Sequence, residues 1–80
     1  MKLDTMNKEE PFKVRAYGYG ELAMEYFHNS TKKSASTQLG RWIKQNNKLN
    51  RELISSGFKK GQKILTPMQV LIIINYLGYP

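Results

Sequence analysis

Eighty residues allow one domain with one core, and at that size nearly every apolar side chain must find a partner for folding to be favourable. The absence of cysteine excludes disulfides and thiolate zinc sites and fits a reducing compartment, so the expected location is the cytoplasm. Thirteen Lys and Arg against six Asp and Glu give a net charge of +7, and the excess is one-sided: residues 31–80 carry Lys32, Lys33, Arg41, Lys44, Lys48, Arg51, Lys59, Lys60 and Lys63 against Glu52 alone.

Met1 to Pro11 is polar, has neither a helical nor a strand period, and ends in proline, which reads as a flexible N-terminal arm. It holds no apolar run of signal-peptide type, which points away from secretion. Residues 12–80 then form a single helical domain. From Phe12 to Tyr17 apolar and polar residues alternate, the pattern of a short half-buried strand, and Gly18 and Gly20 end it. A first helix is expected over Gly20 to Phe27, with Leu22, Ala23, Tyr26 and Phe27 on one face and Glu21 and Glu25 near the favourable N-terminal end of its dipole.

A polar loop, His28 to Lys33, leads to a second helix over Ser34 to Asn46, with Thr31 or Ser34 as its N-cap. At 100° per residue Ala35, Leu39, Trp42 and Ile43 share one arc, while Ser34, Thr37, Gln38, Arg41, Lys44 and Gln45 occupy the other. A third helix, Lys48 to Ser56, takes Asn47 as cap and buries Leu49, Leu53 and Ile54. It stops at Gly57, and Phe58 folds back on Leu53 in a Schellman end. Phe58 to Leu65, rich in lysine around Gly61, reads as a tight extended loop or small hairpin whose Ile64 end can pair with the first strand. Thr66-Pro67-Met68-Gln69 announces a last helix, Pro67 to Leu77, through a threonine cap, a proline at the first helical position and a glutamine that returns to the cap. This helix is apolar nearly all round and must be central, enclosed by the others or shared with a second subunit. Its longest apolar run, Val70 to Ile74, is far below the ~20 residues of a membrane span.

The inventory for catalysis is thin. His28 is the one histidine and reads as a solvent-facing residue at a helix end. Glu21 and Glu25 have no His or Cys to work with, and no metal-ligand spacing occurs. Gly57-Phe58-Lys59-Lys60-Gly61-Gln62-Lys63 lacks the Gly-Lys-Ser/Thr ending of a phosphate loop, and Gly18-Tyr19-Gly20 is only half of a dinucleotide fingerprint. The expectation is therefore a binding protein with no cofactor, no metal and no small-molecule substrate.

Two helices joined by a loop, the second with a basic, amide-bearing outer face, resemble a helix-turn-helix. That resemblance implies Arg41 at guanine edges, Gln38 and Gln45 at adenine edges, and Ser34, Thr37, Lys32, Lys33 and Lys44 at phosphates. Glu21-Leu22-Ala23, Leu39-Gly40-Arg41-Trp42-Ile43, the Lys and Gly loop, and Leu65-Thr66-Pro67-Met68-Gln69-Val70 in that order are similar to the winged helix-turn-helix of excisionases and MerR-type regulators, with Lys59, Lys60 and Lys63 as a basic wing. The loop after the first helix is longer than in those families, and the third helix is an insertion.

Tyr17-Gly18 with Glu21-Leu22-Ala23, Tyr26-Phe27, Arg41-Trp42-Ile43, Leu49, Gly57-Phe58 with Gly61-Gln62, Leu65-Thr66-Pro67 with Gln69-Val70, and Tyr76-Leu77-Gly78 with Pro80 resemble a family of small gut-bacterial proteins known only as a domain of unknown function. That likeness, over Phe12 to Pro80, implies a fold unit and no activity. The expected architecture is mainly α, four helices with a small two-stranded β element or wing. The expected function is a DNA-binding module, transcriptional or mobile-element in role, with double-stranded DNA as partner. The alternative is a protein-interaction module that forms a homodimer through its apolar C-terminal helix.

Overall fold

The computed structural model describes residues 12–80, and the arm expected over Met1 to Pro11 lies outside the described residues. In chain order the elements are β1 (Tyr17–Gly18), α1 (Tyr19–Tyr26), α2 (Lys32–Gln45), α3 (Asn47–Ser55), β2 (Ile64–Leu65) and α4 (Pro67–Leu77). The fold is mainly α, four helices with one two-stranded antiparallel sheet.

The last helix forms where its opening residues dictate. Thr66 Oγ1 accepts from the Gln69 N–H at 3.2 Å, and Gln69 Oε1 accepts from the Thr66 N–H at 3.0 Å, with Pro67 at the first position. A cap of this kind contributes about 1 kcal/mol. Val70, Ile72, Ile73 and Ile74 are buried, so α4 is central as its composition requires. It is not wholly enclosed: Met68 is 60 % exposed and Leu71 38 %, one turn apart on the same side.

α2 takes Thr31 as its cap, whose hydroxyl accepts from the Ser34 N–H at 3.1 Å. The helix therefore starts at Lys32 rather than Ser34, inside the stretch read as loop. Ala35, Leu39 and Ile43 are buried as their spacing predicts. Trp42 is not: it is 41 % exposed, lying at the end of the arc where its ring meets Phe27 and Tyr26 edge-on, at centroid distances of 4.7 and 6.3 Å. Asn46, with φ −104° and ψ 98°, ends α2 and caps α3 through Oδ1 and the Leu49 N–H, so α3 begins one residue before the expected position.

α3 closes as a full Schellman motif. The Phe58 N–H donates to the Leu53 carbonyl at 3.1 Å and the Gly57 N–H to that of Ile54 at 3.0 Å, with Gly57 at φ 98°. Leu49 and Leu53 are fully buried, whereas Ile54, one residue further round, is 58 % exposed. The expectation of a buried Ile54 fails because a nine-residue helix docked through Leu49 and Leu53 has no second apolar face to cover.

The sheet pairs Tyr17 with Leu65 and Gly18 with Ile64. The alternating stretch from Phe12 forms strand only at its last residue, because β2 is two residues long and offers no further backbone partner. Phe12 instead stacks on Tyr17 at 5.1 Å, and Val14 stays exposed. Between α3 and β2 the lysine-rich segment is a turn around Gly61 rather than a hairpin, since the partner of β2 comes from the start of the domain. Leu22, Leu39, Leu49, Leu53, Leu65, Val70 and Ile73 make the fully sealed core, each such side chain contributing about 2 kcal/mol on burial.

Candidate nucleic-acid interface

α1 and α2, joined by Phe27 to Thr31, form the helix pair, and its basic residues, Lys32, Lys33, Arg41 and Lys44, all sit on α2. Gly18 and Glu21 set the start of α1: the Glu21 carboxylate accepts from the Gly18 N–H at 3.1 Å and pairs with Arg15 at 3.0 Å. The guanidinium of Arg15 holds that carboxyl below its ordinary value, with the Gly18 N–H helping. Arg15 also lies over the Tyr17 ring, 3.6 Å from its centroid. The other end of α1 is tied to the end of α4, where the Tyr26 hydroxyl donates to the Gly78 carbonyl at 2.5 Å.

The eleven polar and basic residues expected at a site do not share one surface. Lys33, Ser34, Thr37, Gln38 and Arg41 line a shallow depression with Thr31 along the outward side of α2. Lys32, Lys33, Lys44, Lys60 and Lys63 line a second groove, about 920 Å³ in volume, between α2, α3 and the lysine loop, and Lys33 borders both. Gln45, one turn after Arg41 on α2, lines neither and instead borders a third depression with Trp42, Asn46 and Lys48. Lys59 is exposed and borders neither surface.

Three of these side chains, Ser34, Thr37 and Gln38, are already engaged. Gln38 donates through Nε2 to the Ser30 hydroxyl at 3.0 Å and to that of Ser34 at 3.3 Å, fixing the α1–α2 loop to the second helix and leaving its Oε1 for an outside donor. The Thr37 hydroxyl donates to the Lys33 carbonyl at 3.0 Å within α2. Lys32 passes close over Gly20: a Cβ there would lie 2.6 Å from Lys32 Cε, so a larger residue would make the lysine side chain shift.

The groove is what sequence reasoning missed. Its wall includes Tyr19, Ile54 and Ile64 beside the lysines, and the Tyr19 ring tilts against Phe58 at 6.4 Å. The signal was present in the alternation of β2, which puts Leu65 inside and Ile64 outside, where it is 61 % exposed. No helix among the described residues is long and apolar enough to cross a membrane, and those residues hold no cluster of His, Cys, Asp and Glu suited to a metal ion.

These features define a small, mainly helical domain with a cationic second helix and a lysine-edged groove beside it. The chain belongs to the family described as domain of unknown function DUF4248, whose model matches residues 13–80. No curated protein and no solved structure matches it.

Proposed function

We propose that this chain is a non-catalytic DNA-binding module of helix-turn-helix type that sets the outward side of α2 in the major groove of duplex DNA. The observation that supports this most is the surface of α2 itself. Lys33, Ser34, Thr37, Arg41, Lys44 and Gln45 are all exposed, and among the described residues every acid lies on another helix, Glu21 and Glu25 on α1 and Glu52 on α3. In this reading Arg41 takes a guanine edge, Gln45 and the Oε1 of Gln38 meet adenine, and Lys32, Lys33, Ser34, Thr37 and Lys44 contact phosphates. Lys59, Lys60 and Lys63 reach the backbone from the neighbouring loop.

A salt titration tests this. With some five phosphates neutralised, the logarithm of the duplex affinity should fall against the logarithm of salt concentration with a slope of about −4 to −5. A flat response would end the proposal. Arg41→Ala should relax sequence preference, whereas Lys60→Ala should weaken binding to all sequences alike.

The exposed pair Met68 and Leu71 on α4 favours a second reading, a homodimer that buries this side of the last helix without any nucleic acid. Sedimentation over a range of concentrations, with and without DNA, separates the two. A dimer indifferent to DNA supports the second.

A further inference from the structure

The cationic residues of this chain lie in two chemically different settings. On the outward side of α2, Lys33 and Arg41 have the Ser34 and Thr37 hydroxyls and the Gln38 amide between them. Around the groove, Lys32, Lys33, Lys44, Lys60 and Lys63 line the same cleft as Ile54, Ile64 and the Tyr19 ring. The first setting is wet and polar. The second is an apolar floor with positive charge around it.

That difference selects the occupant. A phosphate backbone is satisfied by cations and N–H or O–H donors and gains nothing from covering isoleucine. Ile54 and Ile64 are nevertheless 58 % and 61 % exposed inside a cleft of about 920 Å³, a size that admits a ligand or the side chains of a peptide. An exposed apolar patch edged by charge marks an interaction surface. Its complement is a segment with a stripe of apolar side chains flanked by carboxylates, the chemistry of an amphipathic helix laid in a groove. Glu21, the acid at the rim, is held by Arg15 at 3.0 Å, so its charge is already offset.

We infer that the groove between α2, α3 and the lysine loop is a docking site for an acidic amphipathic segment of a partner protein. Apolar side chains of that segment cover Ile54 and Ile64, and its carboxylates meet Lys44, Lys60 and Lys63. The site stands whether or not α2 binds DNA. Because Lys44, Lys60 and Lys63 also belong to the proposed DNA surface, the two partners oppose each other when both bind.

Fluorescence anisotropy on the full chain with a labelled peptide, Ac-EELLEELLEELL-NH2, reads the site directly. Two companions, one with Gln for every Glu and one with Ala for every Leu, should each bind at least tenfold more weakly, about 1.4 kcal/mol. The double variant Ile54→Ser with Ile64→Ser changes only exposed side chains, so it should keep the wild-type circular dichroism spectrum and lose peptide affinity by a similar factor. Its duplex affinity, measured separately, reports on the DNA reading alone. No binding of the acidic leucine peptide, equal binding of either companion, or unchanged peptide affinity in the folded double variant would each overturn the inference.

Discussion

Gln62 donates through Nε2 to Oε1 of Gln69 at 2.7 Å, and this bond fastens the lysine loop to the first turn of α4. The same Oε1 accepts from the Thr66 N–H, so one buried amide both caps the helix and anchors the loop. Gln62 completes the clasp: Nε2 also donates to the Ile64 carbonyl at 2.7 Å, and Oε1 accepts from the Lys59 N–H at 3.1 Å. A turn carrying Lys59, Lys60 and Lys63 repels itself electrostatically, and these bonds hold it in one place beside α2.

Replacing Gln69 by leucine keeps the volume and removes the acceptor. The Gln62 amide and the Thr66 N–H then lose a partner at a part-buried site, which should cost about 1–3 kcal/mol. In a domain of this size that lowers the melting temperature by roughly 4–8 °C for each kcal/mol. Gln62→Ala should cost less, because its amide lies nearer to water, and thermal denaturation of the two variants orders them. Equal melting temperatures for wild type and Gln69→Leu would show that the clasp contributes nothing.

Trp42 gives a second prediction, from magnitude. A fully buried tryptophan truncated to alanine costs about 3–5 kcal/mol. At 41 % exposure, with its contacts to Phe27 and Tyr26 made edge-on, Trp42→Ala should cost about 1–2 kcal/mol, most of it from the aromatic pairs. Urea denaturation followed by circular dichroism measures the difference. A loss near the fully buried value would place the ring in the core.

Burial pushes the Tyr26 hydroxyl up to about 12, from an ordinary value of 10.0. The folded state therefore holds this proton more tightly than the unfolded chain does. The stability linked to it is fully present below pH 10 and falls as pH rises towards 12. Tyr19 and Tyr76 are also held above the ordinary value, by burial and by a hydrogen bond to Glu52 respectively, so ultraviolet titration of the folded protein should show late ionisation with Tyr26 last, and Tyr26→Phe should remove that final step. The variant should also lose less stability than wild type over the same alkaline range; identical pH profiles would contradict the assignment.

Much of this fold is legible in the sequence wherever a local signal and a burial pattern agree. Thr66, Pro67 and Gln69 fix the start of α4, and Gly57 with Phe58 fixes the end of α3, because each closes hydrogen bonds within a few residues. The strand expected from Phe12 is different. Alternation predicts a face, but a strand also needs a partner backbone, and only Leu65 and Ile64 provide one. Trp42 and Ile54 look like core by spacing and lie at its margin, since an arc on a helical wheel does not say where the neighbouring helix ends. The basic residues of α2 could be picked out one by one. Their division between an outward depression and an isoleucine-floored groove depends on where the lysine loop packs, and that depends on the pairing of Gln62 with Gln69, seven positions apart.

The most direct test of the claim that α2 reads DNA is a titration of the nitrogen-labelled protein with a mixed-sequence duplex, followed by amide NMR shifts. The amides and side chains of Lys33, Thr37, Arg41, Lys44 and Gln45 should move most, with smaller changes at Lys60 and Lys63 and none at Met68 or Leu71. Shifts confined to α4, or none along α2 at a duplex concentration that saturates non-specific sites, would contradict the account.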